Sequence, residues 1–284
     1  LAPDFTAFYC TGPSEALESM LTLEADRMAG QRLTAADVAA ETRSLRDEHR
    51  RLDDNPMTRA LQKLYATAFG THPYAIPLQG RSADLARLTP AACGEYARGH
   101  YGPGNALVTV VGRFDPDEAE AMLRRTFGAL PRRETSPPPS VPEPATGEKR
   151  AIARSPVRMV LAGWRVPADS LCGAELAVIA QVLGAGSGPR LAAELIHRQK
   201  LALATSCVFD GRRRASFLYA TAALPPNADS AKVESELVGQ VERLSLEPLT
   251  EAELTRARKT LLLTARLDRQ SVRGRAQALG SAAL

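Results

Sequence analysis

Two glutamates, Glu41 and Glu48, stand seven residues apart in the stretch 33–54, LTAADVAAETRSLRDEHRRLDD. At 3.6 residues per turn this spacing brings both carboxylates to nearly one azimuth, about 10 Å apart along a helix axis. They interleave with Val38, Leu45 and Leu52, which recur every seven residues, so acid occupies positions where an amphipathic helix would carry Leu or Ala. A carboxylate on an apolar stripe has to be neutralised, paired or bound to a cation, because an uncompensated buried charge costs several kcal/mol. A metal or catalytic cluster is one reading. Two helix-surface glutamates beside Arg43, Arg46 and Arg50 is the other, and periodicity alone leaves both open.

Other side chains capable of chemistry are scattered. The histidines are His49, His72, His100 and His197, and no H-x-x-E-H occurs. His49 follows Glu48 but lies about 100° around the helix, which predicts a solvated polar residue; His72 and His100 are predicted in loops with the same reading. Cysteines 10, 93, 172 and 207 show no C-x-x-C spacing and read as free or buried thiols. The run Gly184–Gly188 lacks the lysine of a P-loop and reads as a connection between helices. Arg212–Arg214 follow Asp210-Gly211 at a predicted hairpin tip. A solvated turn is the leading reading there, and a contact for acidic peptide the other.

The elements that must position the glutamates are legible. Thr34 with Asp37 three residues on marks a helix start, and Pro56 ends the pattern. Around this helix we predict a strand near 4–11, helices near 14–29, 56–68 and from Pro90, a strand at 106–111, and a helix capped by Asp115 with Pro116 in its first turn. The stretch 132–156 is rich in proline and short of large apolar residues, the composition of a stiff linker. Beyond it come a strand near 157–164, helices near 170–184 and 189–199, a hairpin of strands 201–209 and 215–223, and helices near 229–246 and 250–270. The expected organisation is two domains, 1–131 and 157–284, each a β-sheet covered by helices on one face, an α+β architecture.

Composition bounds the function class loosely. At 284 residues with 44% hydrophobic content the chain can bury two cores, and aromatics at 5% leave packing to Leu, Ala and Val. A net charge of +4, from 36 basic and 32 acidic residues, makes no case for nucleic acid as a partner. No apolar run approaches the roughly 18 residues of a membrane span. Alanine and arginine richness hints at a bacterial source, and the sequence does not choose between cytoplasm and periplasm.

Residues 4–131 carry D-F-T-A-F-Y (4–9), L-T-L-E-A-D-R-M (21–28), E-x6-E (41–48), D-D-N-P (53–56), H-P-Y and P-L-Q-G within 72–80, L-T-P-A (88–91), Y-G-P-G-N-A-L-V-T-V-V-G (101–112) and F-G-A-L-P (127–131). In this order they resemble the first domain of the insulinase and mitochondrial-processing-peptidase family of zinc metallopeptidases, the M16 peptidases or inverzincins. The resemblance implies Zn2+ held by the two histidines of H-x-x-E-H and by a glutamate of a later helix, with the glutamate of that motif as general base. Glu48 matches the distal glutamate ligand, and Glu41 the glutamate that supports the site from behind the ligands. Such zinc keeps an open position for water, which it activates to attack a peptide carbonyl. The first residues resemble the middle of the strand that follows the H-x-x-E-H helix, which places the motif upstream of Leu1; residues 250–284 resemble a late helix of the second domain. The resemblance thus implies two similar domains, incomplete at both termini.

The second half is similar to the family's G-x-x-S-R-L region, through GAGSGPRL (184–191). An arginine and a tyrosine there help the family hold substrate, and those positions fall on Ile196 and Leu203, neither of which can donate a hydrogen bond. Arg190 is expected to be structural. The pattern implies the metal-bearing member of a dimer, closing on peptide substrates with a homologous M16 subunit that carries the Arg/Tyr pair. A non-catalytic scaffold or partner subunit of the same family is the alternative.

Overall fold

Three strands, β1 (Met159–Pro167), β2 (Ala204–Asp210) and β3 (Ala215–Ala223), form the sheet on which the chain is organised. The computed structural model describes every residue except 31, 134–139, 142–145, 168–172 and 187. Among the described residues the sheet order is β1-β3-β2 and both pairings are antiparallel, with Trp164 opposite Leu218 and Cys207 opposite Ala220. β2 and β3 are the predicted hairpin. Ser206 and Thr221 face each other across it with their hydroxyls 2.7 Å apart.

Side chains of a strand alternate between faces, and β3, as the central strand, buries both. Leu218, Ala220 and Ala222 point into a core built with Leu183 of α6 (Gly173–Gly184), Leu195 of a π-helical segment (Ala192–Arg198), and Val233 and Leu237 of α7 (Ser230–Glu242). α6 approaches β2 so closely that a methyl group at Gly184 would fall 1.8 Å from the Cys207 backbone nitrogen. The opposite face of β3 presents Ala215 and Phe217. They pack on Phe69, Tyr74 and Ala75, with Leu64, Tyr65 and Ala68 around them. Most of these residues belong to α3 (Pro56–Phe69), a helix of the first half, so one strand is shared between two cores.

The first half is largely helical, and its elements follow local signals. α1 (Leu17–Ala29) is followed by α2 (Ala35–Asp54), whose start is a capping box: the Asp37 N–H donates to the Thr34 hydroxyl at 3.2 Å, and the Thr34 N–H to the Asp37 carboxylate at 2.8 Å. Asn55 closes α2 and opens α3, its side-chain oxygen accepting from the Met57 and Thr58 N–H groups while Pro56 takes the first helical position. α4 (Pro90–His100) and α5 (Pro116–Thr126) begin in the same way, at Thr89-Pro90 and Asp115-Pro116.

The segments 4–11 and 106–111, predicted as strands, join no ladder among the described residues. Alternating apolar sequence favours extension, but a strand also needs a hydrogen-bonded neighbour, which local sequence does not supply. Phe8, Tyr9, Leu107 and Val108 are exposed there. The helix expected over 250–270 is α8 (Glu251–Asp268), and Ser271 caps a further helix, α9 (Val272–Ala283). α9 lies beside these segments: the Arg273 guanidinium sits 3.7 Å from the Tyr9 ring centroid, and Thr109 Oγ1 borders Gly280. Much of the proline-rich stretch 132–156 falls outside the described residues.

Candidate functional site

The buried stripe of α2 decides where its glutamates point. Taking Val38 as origin and about 100° per residue, Leu45 and His49 lie within about 20° of it, and Thr42 and Leu52 within about 40°. Glu41 and Glu48 fall about 60° and 80° to one side. In agreement, Thr42 (8% exposed) and His49 (9% exposed) are the buried residues of the helix. Glu48 is partly buried and Glu41 exposed. The glutamates therefore do share a face, but it is the flank of the stripe and not its core-facing centre. Among the described residues neither carboxylate has an ion-pair or hydrogen-bond partner. The expectation of a solvated His49 is corrected: its Nε2 lies 3.2 Å from the Gln79 carbonyl oxygen, which fixes the 77–80 turn against α2.

The other histidines are occupied or remote. His72 is buried, not a solvated loop residue. Its Nδ1 accepts from the Tyr74 N–H at 3.1 Å and its ring lies 4.6 Å from that of Tyr74. His100 ends α4, contrary to the predicted loop, with Nδ1 3.0 Å from the Tyr96 carbonyl oxygen. His197 is exposed on the π-helical segment.

Zinc in a peptidase requires three protein ligands and an open position. Glu48 offers one carboxylate. Glu41 lies two helical turns away, too far to share the same ion. Among the described residues no three His, Cys, Asp or Glu side chains are grouped to hold a metal. As a single donor Glu48 fits a zinc site, and as a complete set these residues do not.

The hairpin tip departs from the solvated turn expected of it. Arg212, with its side chain 14% exposed, donates to Asp210 Oδ2 at 2.7 Å and stacks over the rings of Tyr65 and Tyr74, 4.7 and 4.8 Å from their centroids. The Tyr65 hydroxyl donates to the same carboxylate at 2.5 Å. The Tyr74 hydroxyl donates to Asp4, whose other oxygen accepts from the Arg213 N–H at 3.0 Å. Burial, then the hydrogen bond to Asp210, pushes the Tyr65 phenol up; burial, then Asp4, pushes Tyr74 up to about 12. Both phenols thus remain donors. Asp4 and Tyr74 come from the D-F-T-A-F-Y and H-P-Y motifs, so those motifs tie the first half to the hairpin of the second.

The structure also places Ile196 and Leu203, the positions expected to lack a substrate clamp. Ile196 packs against the core beneath β3, and Leu203 is 66% exposed at the start of β2. Arg190 is structural: it pairs with both Glu253 oxygens at 2.7 and 2.8 Å and donates to the Glu247 and Pro248 carbonyls. The guanidinium holds the Glu253 carboxyl down to about 2, while that carboxyl completes the capping box of α8 with Thr250.

The family description "Peptidase M16 inactive domain" matches residues 87–261, more than half of the chain. The chain belongs to the M16 peptidase family. That match begins after Glu41 and Glu48 and runs across the proline-rich stretch. A zinc protease of Helicobacter pylori, PqqE, is 26% identical over 88% of this chain and 58% of its own length. The crystal structure of a protease from Helicobacter pylori superposes with TM-score 0.81 at 22% identity, covering 95% of this chain and 67% of that one. A chain of complex III2 from Candida albicans superposes with TM-score 0.74 at 16% identity, covering 94% and 65%. This M16 chain spans about 60% of the length of the curated relatives it matches. Among its described residues no helix is long and apolar enough to cross a membrane.

Proposed function

We propose that this M16 chain is part of a zinc metallopeptidase, to which it contributes Glu48 as a carboxylate ligand. The remaining ligands and the general base come from an H-x-x-E-H helix outside these 284 residues. The observation that carries the reading is the pair Glu41 and Glu48, lying on one flank of α2 without partners among the described residues, with Glu48 the more buried. An unpaired carboxylate in that setting is held ready for a cation. Glu41 supports the site by its charge, from about 10 Å along the axis. A zinc held by Glu48 together with the two histidines of H-x-x-E-H would act as a Lewis acid and acidify a water for peptide hydrolysis. Ile196 and Leu203 offer the substrate no donor, so the arginine and tyrosine come from a homologous M16 partner.

The match to an inactive-domain description favours a second reading, a non-catalytic M16 subunit that shapes a chamber or scaffold, and the superposition on a chain of complex III2 fits the same role. Zinc content of the natural protein that contains these residues, purified and dialysed, separates them. About one zinc per chain, lost in Glu48→Gln, supports the peptidase. Absence of tightly bound zinc supports the scaffold.

A further inference from the structure

α2 has a second flank, opposite its glutamates, and it borders a groove of about 510 Å3 between this helix and the segment 85–90. Val38, Leu85 and Leu88 give it an apolar floor, and Arg43 and Arg46 stand at its rim. From Val38 the two arginines lie about 140° and 80° around the helix, on the side away from Glu48. Neither guanidinium has an ion-pair or hydrogen-bond partner among the described residues, and no acidic side chain lines the groove. Thr42 also lines it, and its hydroxyl makes no hydrogen bond among the described residues, not even the back-bond to the preceding turn that Thr22 and Thr67 make in their helices. Thr89 and Pro90 bring the positive N-terminal end of α4 to the same place.

We propose that this groove docks an extended peptide segment that alternates acidic and apolar residues. Apolar side chains lie on Val38, Leu85 and Leu88, and a carboxylate lies between Arg43 and Arg46 within reach of the Thr42 hydroxyl. Charge complementarity selects the acid, since two guanidiniums and a helix N-terminus border one groove and no acidic side chain among the described residues pairs with them. Shape selects a peptide over a small anion. The lining runs along α2 from Ala35 to Arg46, about 16 Å at the helical rise, which spans about five residues of extended chain. The site is independent of zinc and of Glu48.

The test uses the 284-residue chain free of metal and a fluorescein-labelled Leu-Glu-Leu-Glu-Leu peptide, with binding read by fluorescence anisotropy. Saturable binding is expected, weakening about tenfold or more when the peptide carries Gln for Glu, and by a similar factor in the double variant Arg43→Gln, Arg46→Gln. Both arginines are exposed, so the variant folds, as its circular dichroism would verify. Thr42→Val, which keeps the side-chain shape, should weaken binding several-fold. Equal affinity for the Glu and Gln peptides, or for the double variant, would overturn the proposal. So would no saturation at millimolar peptide. Displacement of the peptide by acetate at concentrations near that of the peptide would also overturn it, in favour of a bare anion site.

Discussion

The Tyr65 hydroxyl donates to Asp210 at 2.5 Å across 145 residues of sequence, fastening the end of α3 to the tip of the β2–β3 hairpin. Arg212 binds the same carboxylate and lies over the Tyr65 ring, so side chains from two halves of the chain share one partly buried charge.

Removing the phenol oxygen should loosen the halves without emptying the core. Tyr65→Phe is expected to cost about 1–2 kcal/mol, as for a hydrogen bond to a charged group. Arg212→Ala should cost more, since it removes the charge partner of Asp210 and the stacking on two rings. Urea unfolding followed by the fluorescence of Trp164, on β1, measures both. Arg212→Ala within about 0.5 kcal/mol of the parent would show that the hairpin tip is a solvated turn after all.

Acid should attack the Arg190–Glu253 pair in a definite window. The Glu253 carboxyl is held down to about 2 in the fold, below its ordinary value near 4.5. A lowered folded value means that its contribution is complete above the unfolded value and is lost as pH falls from there towards 2. Urea midpoints between pH 6 and 2 should therefore fall more steeply for the parent than for Glu253→Gln, which cannot ionise. Parallel curves would mean that the pair adds nothing to stability.

Close packing at Gly184 predicts a sharp contrast with Gly186. Gly184→Ala places a methyl group against the Cys207 backbone and should cost more than about 3 kcal/mol or prevent folding. At Gly186 the new methyl group meets open space, and only the positive φ of 78° opposes it, for about 1 kcal/mol. Thermal melts of the two variants would rank them, and a reversed order would refute the account of α6 on β2.

In the polypeptide or assembly that supplies H-x-x-E-H, Glu48→Gln should abolish zinc binding and peptide hydrolysis together. Glu41→Gln should lower metal affinity by about 10 to 100-fold. Zinc content by elemental analysis after dialysis reads both, and equal, complete loss at the two positions would reverse their ranking.

The clamp positions can be probed in the chain as it stands. Ile196→Arg drives a guanidinium toward the core beneath β3 and should cost several kcal/mol, whereas Leu203→Tyr at an exposed strand start should be nearly neutral. If circular dichroism melts showed Ile196→Arg to be tolerated, position 196 would be open to the surface and free to carry a substrate-binding arginine.

The helices were legible because their signals are local. Thr34 and Asp37, Asn55-Pro56 and Asp115-Pro116 each satisfy the free N–H groups of their own helix, and the structure starts helices there. The glutamate pair was legible as a shared face, but seven-residue spacing does not say whether that face is inward. The mean direction of Val38, Leu45 and Leu52 lies about 40° from both Glu41 and His49, so periodicity does not choose between the two sides of the stripe, and the structure buries the side of Thr42 and His49. Arg212 gave no such signal: its partners Tyr65 and Tyr74 lie more than 130 residues earlier, and only the fold brings them together. The segments 4–11 and 106–111 read as strands for the complementary reason, since side-chain alternation can be seen in a sequence and a ladder partner cannot.

β3 has a consequence for how errors spread. Its even-numbered residues Leu218, Ala220 and Ala222 serve one core, and its odd-numbered Phe217 and Tyr219 serve the other. A slip of one residue against β1 and β2 would turn every side chain over at once. The Phe217 ring would then turn into the face that Ala220 and Ala222 keep shallow, and α3 would meet a row of methyl groups where it now finds aromatic rings. The two halves therefore proofread a single strand from opposite sides, and neither can adopt a wrong register that the other would accept.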